Sequence, residues 1–389
     1  MSSNMKNFLI MAAATVVFTS AYYMMMPVIP THLLDLGYDN MTIGFVVFLF
    51  SFSSLFARPL GGILVDRWGS RRLMLFSAAL FFLTPFLVKL PTGLIGIKAA
   101  QLLYGLTIGS FAVASTTFAS EVSTPETITQ FMGINSISFI VAKGISPAIG
   151  LKIMDFKGFN GTVTATIFAA VLAVFLVITS SDARKTEKVE NKANFFEVLF
   201  NKNVLLPTFI FFCGMTSYGC ISAMLPVFAN DRSITGIEYF FLINTAVVVA
   251  SRLLLGRWSK DHIEELIVLS LIMIAITLVL MSFVTNFWQL VLVALIYGFG
   301  FAMIHPMLTS MLVLHLNGIS KAMALGIFTT GFDLGVAAGS IMGGLSKYIS
   351  FQWLYLLLSL IPLTGFFVFQ YVYRPGLSKK DLSQNAATF

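Results

Sequence analysis

The chain has 389 residues, of which 57% are hydrophobic and 11% charged, with 39 Phe and 19 Met. No soluble domain of this size needs so apolar a surface, whereas a bilayer-embedded bundle does. The net charge of +7 is no evidence for nucleic acid, because the basic residues sit in short loops and not on one face.

A spanning helix takes roughly 20 apolar residues. The sequence predicts twelve, over about 8–33, 41–65, 73–91, 94–118, 128–154, 160–180, 204–228, 237–257, 263–284, 287–314, 322–346 and 351–373. The segments are too long and too continuously apolar for barrel strands, so the predicted class is an all-α membrane protein. The first exceeds a signal-peptide core and lacks a convincing cleavage site, so it counts as helix 1. With the N-terminus inside, fifteen basic residues fall on the cytoplasmic side, among them Lys6, Arg67, Arg71, Arg72 and Arg374. The opposite side holds five: Lys89, Lys152, Lys157, Arg232 and Lys347. That asymmetry predicts a multi-pass protein of the cell inner (cytoplasmic) membrane with both termini cytoplasmic. Cys213 and Cys220 lie on one predicted helix, roughly 10 Å apart along its axis, too far for a disulfide. They read as small core residues.

The sequence repeats itself. Tyr104-Gly105 returns as Tyr297-Gly298, Met132-Gly133 as Leu325-Gly326 and Gly150 as Gly343, each 193 residues later. Arg58 with Gly62 returns as Arg252 with Gly256, at an offset of 194. Duplicated membrane halves are the construction rule of secondary transporters, whose substrate sits between the repeats. The expected domains are a six-helix half over 1–180, a polar central linker over 181–203, a second half over 204–375 and a tail over 376–389. Asn194 to Phe200 suits an amphipathic surface helix. Tight loops leave no room for a catalytic domain, and no metal spacing, nucleophile elbow or phosphate loop occurs, so neither an enzyme nor a metal site is expected.

The loop after helix 2 reads Gly62-Ile63-Leu64-Val65-Asp66-Arg67-Trp68-Gly69-Ser70-Arg71-Arg72. Position by position it resembles the motif of the major facilitator superfamily between helices 2 and 3, G-x-L-x-D-R-x-G-x-R-R. With twelve spans, a duplicated half and a charged central loop, the resemblance covers essentially the whole chain. It implies the major facilitator fold, two pseudo-symmetric six-helix halves. It also implies that Asp66 faces the N-terminal end of helix 11, whose partial positive charge would stabilise it. The motif arginines would pair with an acid at the cytoplasmic end of helix 4, matched here by Glu121. Gly62, Asp66, Arg67, Gly69, Arg71, Arg72 and Glu121 would then form an inner latch that breaks when the transporter opens inward. The plainer alternative is a positive-inside topology signal. The second copy, Gly256-Arg257-Trp258-Ser259-Lys260-Asp261, is degenerate, with Lys260 where Asp66 stands.

Helix 5 carries Gly144-Ile145-Ser146-Pro147-Ala148-Ile149-Gly150, which resembles the glycine-proline motif of exporters in this superfamily. Ser146 replaces the usual glycine before the proline. The competing reading is that Gly and Pro are common in any spanning helix. Helix 4 departs from the drug–proton antiporters of the family, which carry an arginine four residues before the glycine equivalent to Gly105; here the residue is Gln101. Lys98, one turn toward the outer surface on the same face, either supplies the missing charge or snorkels to the interface.

Charge inside a bilayer costs several kcal/mol per group unless paired or hydrated. By predicted depth the embedded groups are Arg58, Lys98, Lys143, Arg252 and Asp333, with His305 in helix 10. Lys143 and Asp333 lie nearest the midplane, and neither has a charged counterpart in the other copy, an asymmetry that suits substrate and coupling ion. Arg58 and Arg252 read either as anion clamps or as structural anchors of the gate. His305 reads either as a group titrating near neutral pH or as a packing histidine. Four cations against one aspartate, with no acid in helix 1 before Asp35, point to an anionic or zwitterionic substrate. Tyr22, Tyr23, Met24 to Met26, Phe139 and Phe332 would pack its apolar parts, although such stripes also serve plain helix packing.

Together these features imply a secondary active transporter: a proton-coupled exporter of a small amphiphilic metabolite, working by rocker-switch alternating access. Segments 302–310 and 332–335 are similar to bacterial opine-metallophore exporters. The expected partners are the substrate and the lipid bilayer, with no nucleic acid, no cofactor beyond the proton motive force, and a monomeric state. The alternatives are a multidrug–proton antiporter, an importer of a sugar or organic acid, and a membrane receptor or scaffold.

Overall fold

In hydrocarbon, backbone N–H and C=O groups find partners only inside helices or closed barrels, and the long apolar runs of this chain are helical. The computed structural model describes residues 3–89, 93–123, 127–181, 195–255, 262–314 and 321–374, and among these there is no strand. Most of the central linker (182–194), the second-copy loop (256–261) and the tail (376–389) lie outside the described residues.

In chain order the helices are α1 (Ser3–Asp35), α2 (Asn40–Trp68), α3 (Ser70–Phe81), α4 (Thr84–Lys89), α5 (Leu94–Glu121), α6 (Ile128–Thr179), α7 (Phe195–Leu199), α8 (Lys202–Asp231), α9 (Ile237–Leu255), α10 (Ile263–Phe283), α11 (Phe287–Leu314), α12 (Lys321–Gly344) and α13 (Phe351–Val368). Among the described residues, ten helical segments are long and apolar enough to cross a membrane. One of them runs through Gly158, whose φ of 67° and ψ of −175° break the helix, so it comprises the predicted fifth and sixth spans. The 19 residues of α9 complete the twelve. α3 and α4 together form the predicted third span. The predicted surface helix over Asn194–Phe200 is present as the short α7, with Val198 buried and Phe200 exposed.

The described chain divides into two compact units, Met1–Val189 with Ser222–Thr245, and Glu190–Ile221 with Ala246–Phe389. The first therefore joins α1–α6 to the end of α8 and the start of α9. Its centre is a run of rings: Phe18 stacks on Phe111 at 4.0 Å and meets Phe81 at 5.0 Å, while Tyr22 stacks on Phe50 at 4.0 Å and meets Tyr104 at 5.4 Å. Such pairs add to the area they bury. Thr15, Ser115 and Asn135 form a buried hydrogen-bond chain through α1, α5 and α6, at 3.3 and 2.7 Å.

Lipid tails are as apolar as leucine, so helices in a membrane associate through close packing of small residues. In the second unit Gly331, Gly335 and Gly339 of α12 press on α8. A Cβ at Gly331 would stand 2.7 Å from the Thr208 carbonyl oxygen, one at Gly335 2.7 Å from that of Phe212, and one at Gly339 would strike that of Thr216. In the first unit the positions 193 residues earlier are Ser138, Ala142 and Ser146, all buried, followed by Gly150, where a Cβ would strike the Met24 carbonyl oxygen of α1. Ser146 and Gly150 of this four-residue ladder belong to the glycine-proline segment, and the rest of it was visible in both copies of the sequence without being singled out.

The ladder predicts that Gly339→Val destabilises the protein by about 1–3 kcal/mol through overpacking, seen as earlier loss of the monodisperse peak when detergent-solubilised protein is heated. Gly326→Ala on the same helix, where a Cβ meets nothing within 4 Å, is the control and leaves the profile unchanged.

Candidate functional site

The loop after α2 is shaped by Gly69, which closes the helix at φ 88°, in the left-handed region that a side chain disfavours. Gly62 makes no close approach, whereas its neighbour Gly61 packs on Ser110, where a Cβ would stand 3.2 Å from the Cα. Asp66, Arg67 and Arg72 are exposed and Arg71 is half-buried. The resemblance implied that the motif arginines reach Glu121. Here the Ser70 hydroxyl donates to the Glu121 carboxylate. Arg71 turns to the end of α6, donating from Nε to the Val177 carbonyl at 3.3 Å and from Nη2 to that of Ile178 at 2.8 Å. The physical reason is local: the last carbonyls of a helix lack intrahelical donors and carry the negative end of its dipole.

The second copy builds the same tie with different chemistry. The residue 193 positions after Arg71 is Glu264, and it pairs with Arg374 at 2.5 Å. Each copy thus fastens the start of its third span to the end of its sixth. From the sequence Arg374 stood only among the cytoplasmic basic residues and Glu264 was not singled out; laying Arg71 over Glu264 was the signal.

In α6, Ala142, Ser146 and Gly150 lie on the face toward α1, while Gly144 approaches α9, where a Cβ would land on the Thr245 side chain. Helix geometry turns about 100° per residue, so Lys143 lies between these faces. Its Nζ stands 5.6 Å from the centre of the Tyr23 ring, and the residue is half-buried. Pro147 removes the N–H that would otherwise close on the Lys143 carbonyl. In α5, Lys98 lies over the exposed Phe45 ring at 5.4 Å. Gln101 is 1% exposed, and among the described residues its Oε1 meets no donor, so Lys98 and Gln101 share no hydrogen bond. Tyr22, Tyr23 and Met24 to Met26 are all buried in the first unit, where Tyr22 belongs to the core run of rings. Arg58 is half-buried immediately before Pro59.

In the second unit, Arg252 donates from Nε to the Ala302 carbonyl at 3.2 Å. That carbonyl is available because Pro306, four residues on, has no N–H to offer it. His305 is exposed, with its ring 5.3 Å from Phe211 and 5.8 Å from Phe328. Phe211 also neighbours Phe332 at 6.2 Å, Phe332 neighbours Tyr218 at 5.9 Å, and Tyr218 stacks with Phe301 at 5.3 Å. An aromatic wall therefore runs along α8, α11 and α12. Asp333 follows Phe332 and is 2% exposed, on the side of α12 opposite Gly331 and Gly335. The unit thus brings Arg252 and His305 to α11 and sets Asp333 beside the wall. Cys213 and Cys220 are buried free thiols, as expected.

The family profile of the Major Facilitator Superfamily matches residues 11–265 and 264–388. The chain is 25% identical to the staphylopine export protein of Staphylococcus aureus, over 91% of this chain and 93% of that protein. It is 22% identical to multidrug resistance protein 2 of Bacillus subtilis, over 88% and 89%. Among solved structures, a POT family transporter in complex with 5-aminolevulinic acid superposes with a TM-score of 0.80 at 14% identity, covering 93% of this chain and 95% of that one. The nucleoside transporter NupG gives 0.75 at 15% identity, covering 94% and 99%. These structures share the fold. With its helices, its loop motif and residues 11–388 accounted for, the chain belongs to the Major Facilitator Superfamily and is a multi-pass membrane transporter, not an enzyme.

Proposed function

We propose that this transporter is a proton-coupled exporter of a small anionic or zwitterionic amphiphilic metabolite bearing carboxylates. The observation that carries the reading is Asp333, an acid 2% exposed inside a spanning helix, where a lasting charge is expensive and a proton that comes and goes is useful. Asp333 takes the coupling proton from outside. Lys143, half-buried four residues before Pro147 of α6, is the anchor for substrate carboxylate, and the buried Tyr23 ring beside its ammonium meets the apolar part. Arg252 is an anchor of α9 on α11, since its guanidinium serves a proline-freed carbonyl. The glycine-proline segment of α6 and the similarity to an exporter of staphylopine support the outward direction. The two sequence copies then alternate access to the site by rocking.

A second reading, a multidrug–proton antiporter, is favoured by the breadth of the aromatic wall and by the relatives named for multidrug and quinolone resistance. Cells lacking the protein would then be sensitised to unrelated dyes and antibiotics.

Comparative metabolomics of spent medium with and without the protein identifies the exported compound, which is then followed into inverted membrane vesicles. Asp333→Asn is expected to abolish proton-driven uptake there; full uptake by that variant means Asp333 is not the coupling site. Lys143→Met is expected to weaken uptake of the anionic substrate roughly 10- to 100-fold through loss of a charged hydrogen bond, mainly in KM. A neutral drug-like substrate would be unaffected by it.

A further inference from the structure

The seam between α6 and α9 joins a helix of the first sequence copy to one of the second, and within the first unit it is held at two points. At one, Gly144 lies against Thr245 so closely that a Cβ would land on the threonine side chain. At the other, eight residues and about 12 Å along α6, the Lys152 ammonium pairs with Glu238 at 2.6 Å and lies 5.8 Å from the Tyr239 ring centre. From the ion pair toward the glycine contact runs an open groove of about 430 Å³, lined by Ile145, Ala148, Ile149, Ile153 and Leu242 together with Lys152, Glu238 and Tyr239. The helices do not touch along this open groove, where Ile145 and Ile149 are exposed, so this stretch holds little of the dispersion energy that would resist separation. The Glu238 side chain is 10% exposed and that of Lys152 49%. The acid is therefore fixed by its surroundings, also standing in the first turn of α9 where the helix dipole favours it, while the lysine is free to swing away.

We infer that Lys152 and Glu238 are the outer latch of the transport cycle, with Gly144 and Thr245 as the pivot below it. The basic-residue asymmetry puts both latch residues at the outer end of their helices. Closing the pair seals α6 on α9 while the transporter faces inward. Parting it lets the poorly filled seam open from the rim down to the glycine contact. No residue of this latch is among those given the substrate or the proton.

The test needs no substrate, so its failure leaves the export reading standing, and failure of that reading leaves the latch standing. A cysteine replaces Ala148, which lines the groove and is 4% exposed, and its reaction with a membrane-impermeant maleimide added outside intact cells is timed. The parent chain, with Cys213 and Cys220 buried, is the blank. Lys152→Met and Glu238→Gln are each expected to speed labelling about three- to fivefold, the reach of a partly exposed ion pair. Exchanging the charges, Lys152→Glu with Glu238→Lys, restores the parent rate. Gly144→Ala speeds labelling whether or not the charges are exchanged, because it wedges the pivot. The latch is overturned by single variants that label at the parent rate, by an exchanged pair that labels as fast as the singles, or by no labelling in any variant. Where one single variant fails to reach the membrane, the other single and the exchanged pair decide.

Discussion

Everything in this structure depends on how closely two helices can approach where no water drives them together. In a membrane the gain on association comes from packing and from hydrogen bonds, not from burying apolar area. That places the specification of the fold in its smallest side chains. Gly331, Gly335 and Gly339 bring α12 onto α8, and Gly150 does the corresponding work for α6 on α1. Large residues then fill what the close contacts leave, as the stacked Phe18, Phe111, Tyr22 and Phe50 do in the first unit. Asp333 and Lys143 ride on the same helices as the ladders, on other faces. Each side chain mounted this way keeps its place within its own unit because its helix is fixed along a neighbouring face.

Proline works as the counterpart of glycine here. Each proline inside a spanning helix takes an N–H away from the carbonyl four residues earlier, and in hydrocarbon that carbonyl must be satisfied by something else. Arg252 does so for Ala302, which explains why a guanidinium is affordable at that depth. The same bond couples α9 to the part of α11 that carries Pro306, next to His305. An arginine that looks from the sequence like a possible anion clamp is thereby occupied in holding two helices together.

The span boundaries were legible because hydropathy and length are read directly from composition, and the predicted segments differ from the helices by a few residues at most ends. The loop motif was legible as well, since Gly69 is required by a positive φ. What lay out of reach was partner choice. Arg71 and Glu121 are each placed correctly at a helix end, yet Arg71 meets the terminal carbonyls of α6 and Glu121 meets a hydroxyl. Which of several nearby acceptors an arginine takes depends on a few ångströms of helix stagger that no spacing rule encodes. The buried chain from Thr15 through Ser115 to Asn135 escaped for the same reason: single polar residues in apolar helices show their meaning only when three helices come together.

Comparing the two copies turns this limit into an argument. Where both copies keep the same small residues, as at Tyr104-Gly105 and Tyr297-Gly298, the requirement is close packing, and it applies equally to both. Where they differ, the requirement belongs to one copy. The residue 193 positions before Glu238 is Phe45, and the one 193 after Lys152 is Leu345. One copy thus offers a ring at the position where the other offers a carboxylate, and Phe45 meets Lys98 by its π face instead of by an ion pair. A cation–π contact and an ion pair differ in what separation costs, because a bare carboxylate left at 10% exposure is penalised far more than an aromatic ring exposed to lipid. Duplication supplies a symmetric frame, and the charges placed on it are unequal: Lys152 and Glu238 pair between α6 and α9, whereas the matching positions of the other copy hold Leu345 and Phe45.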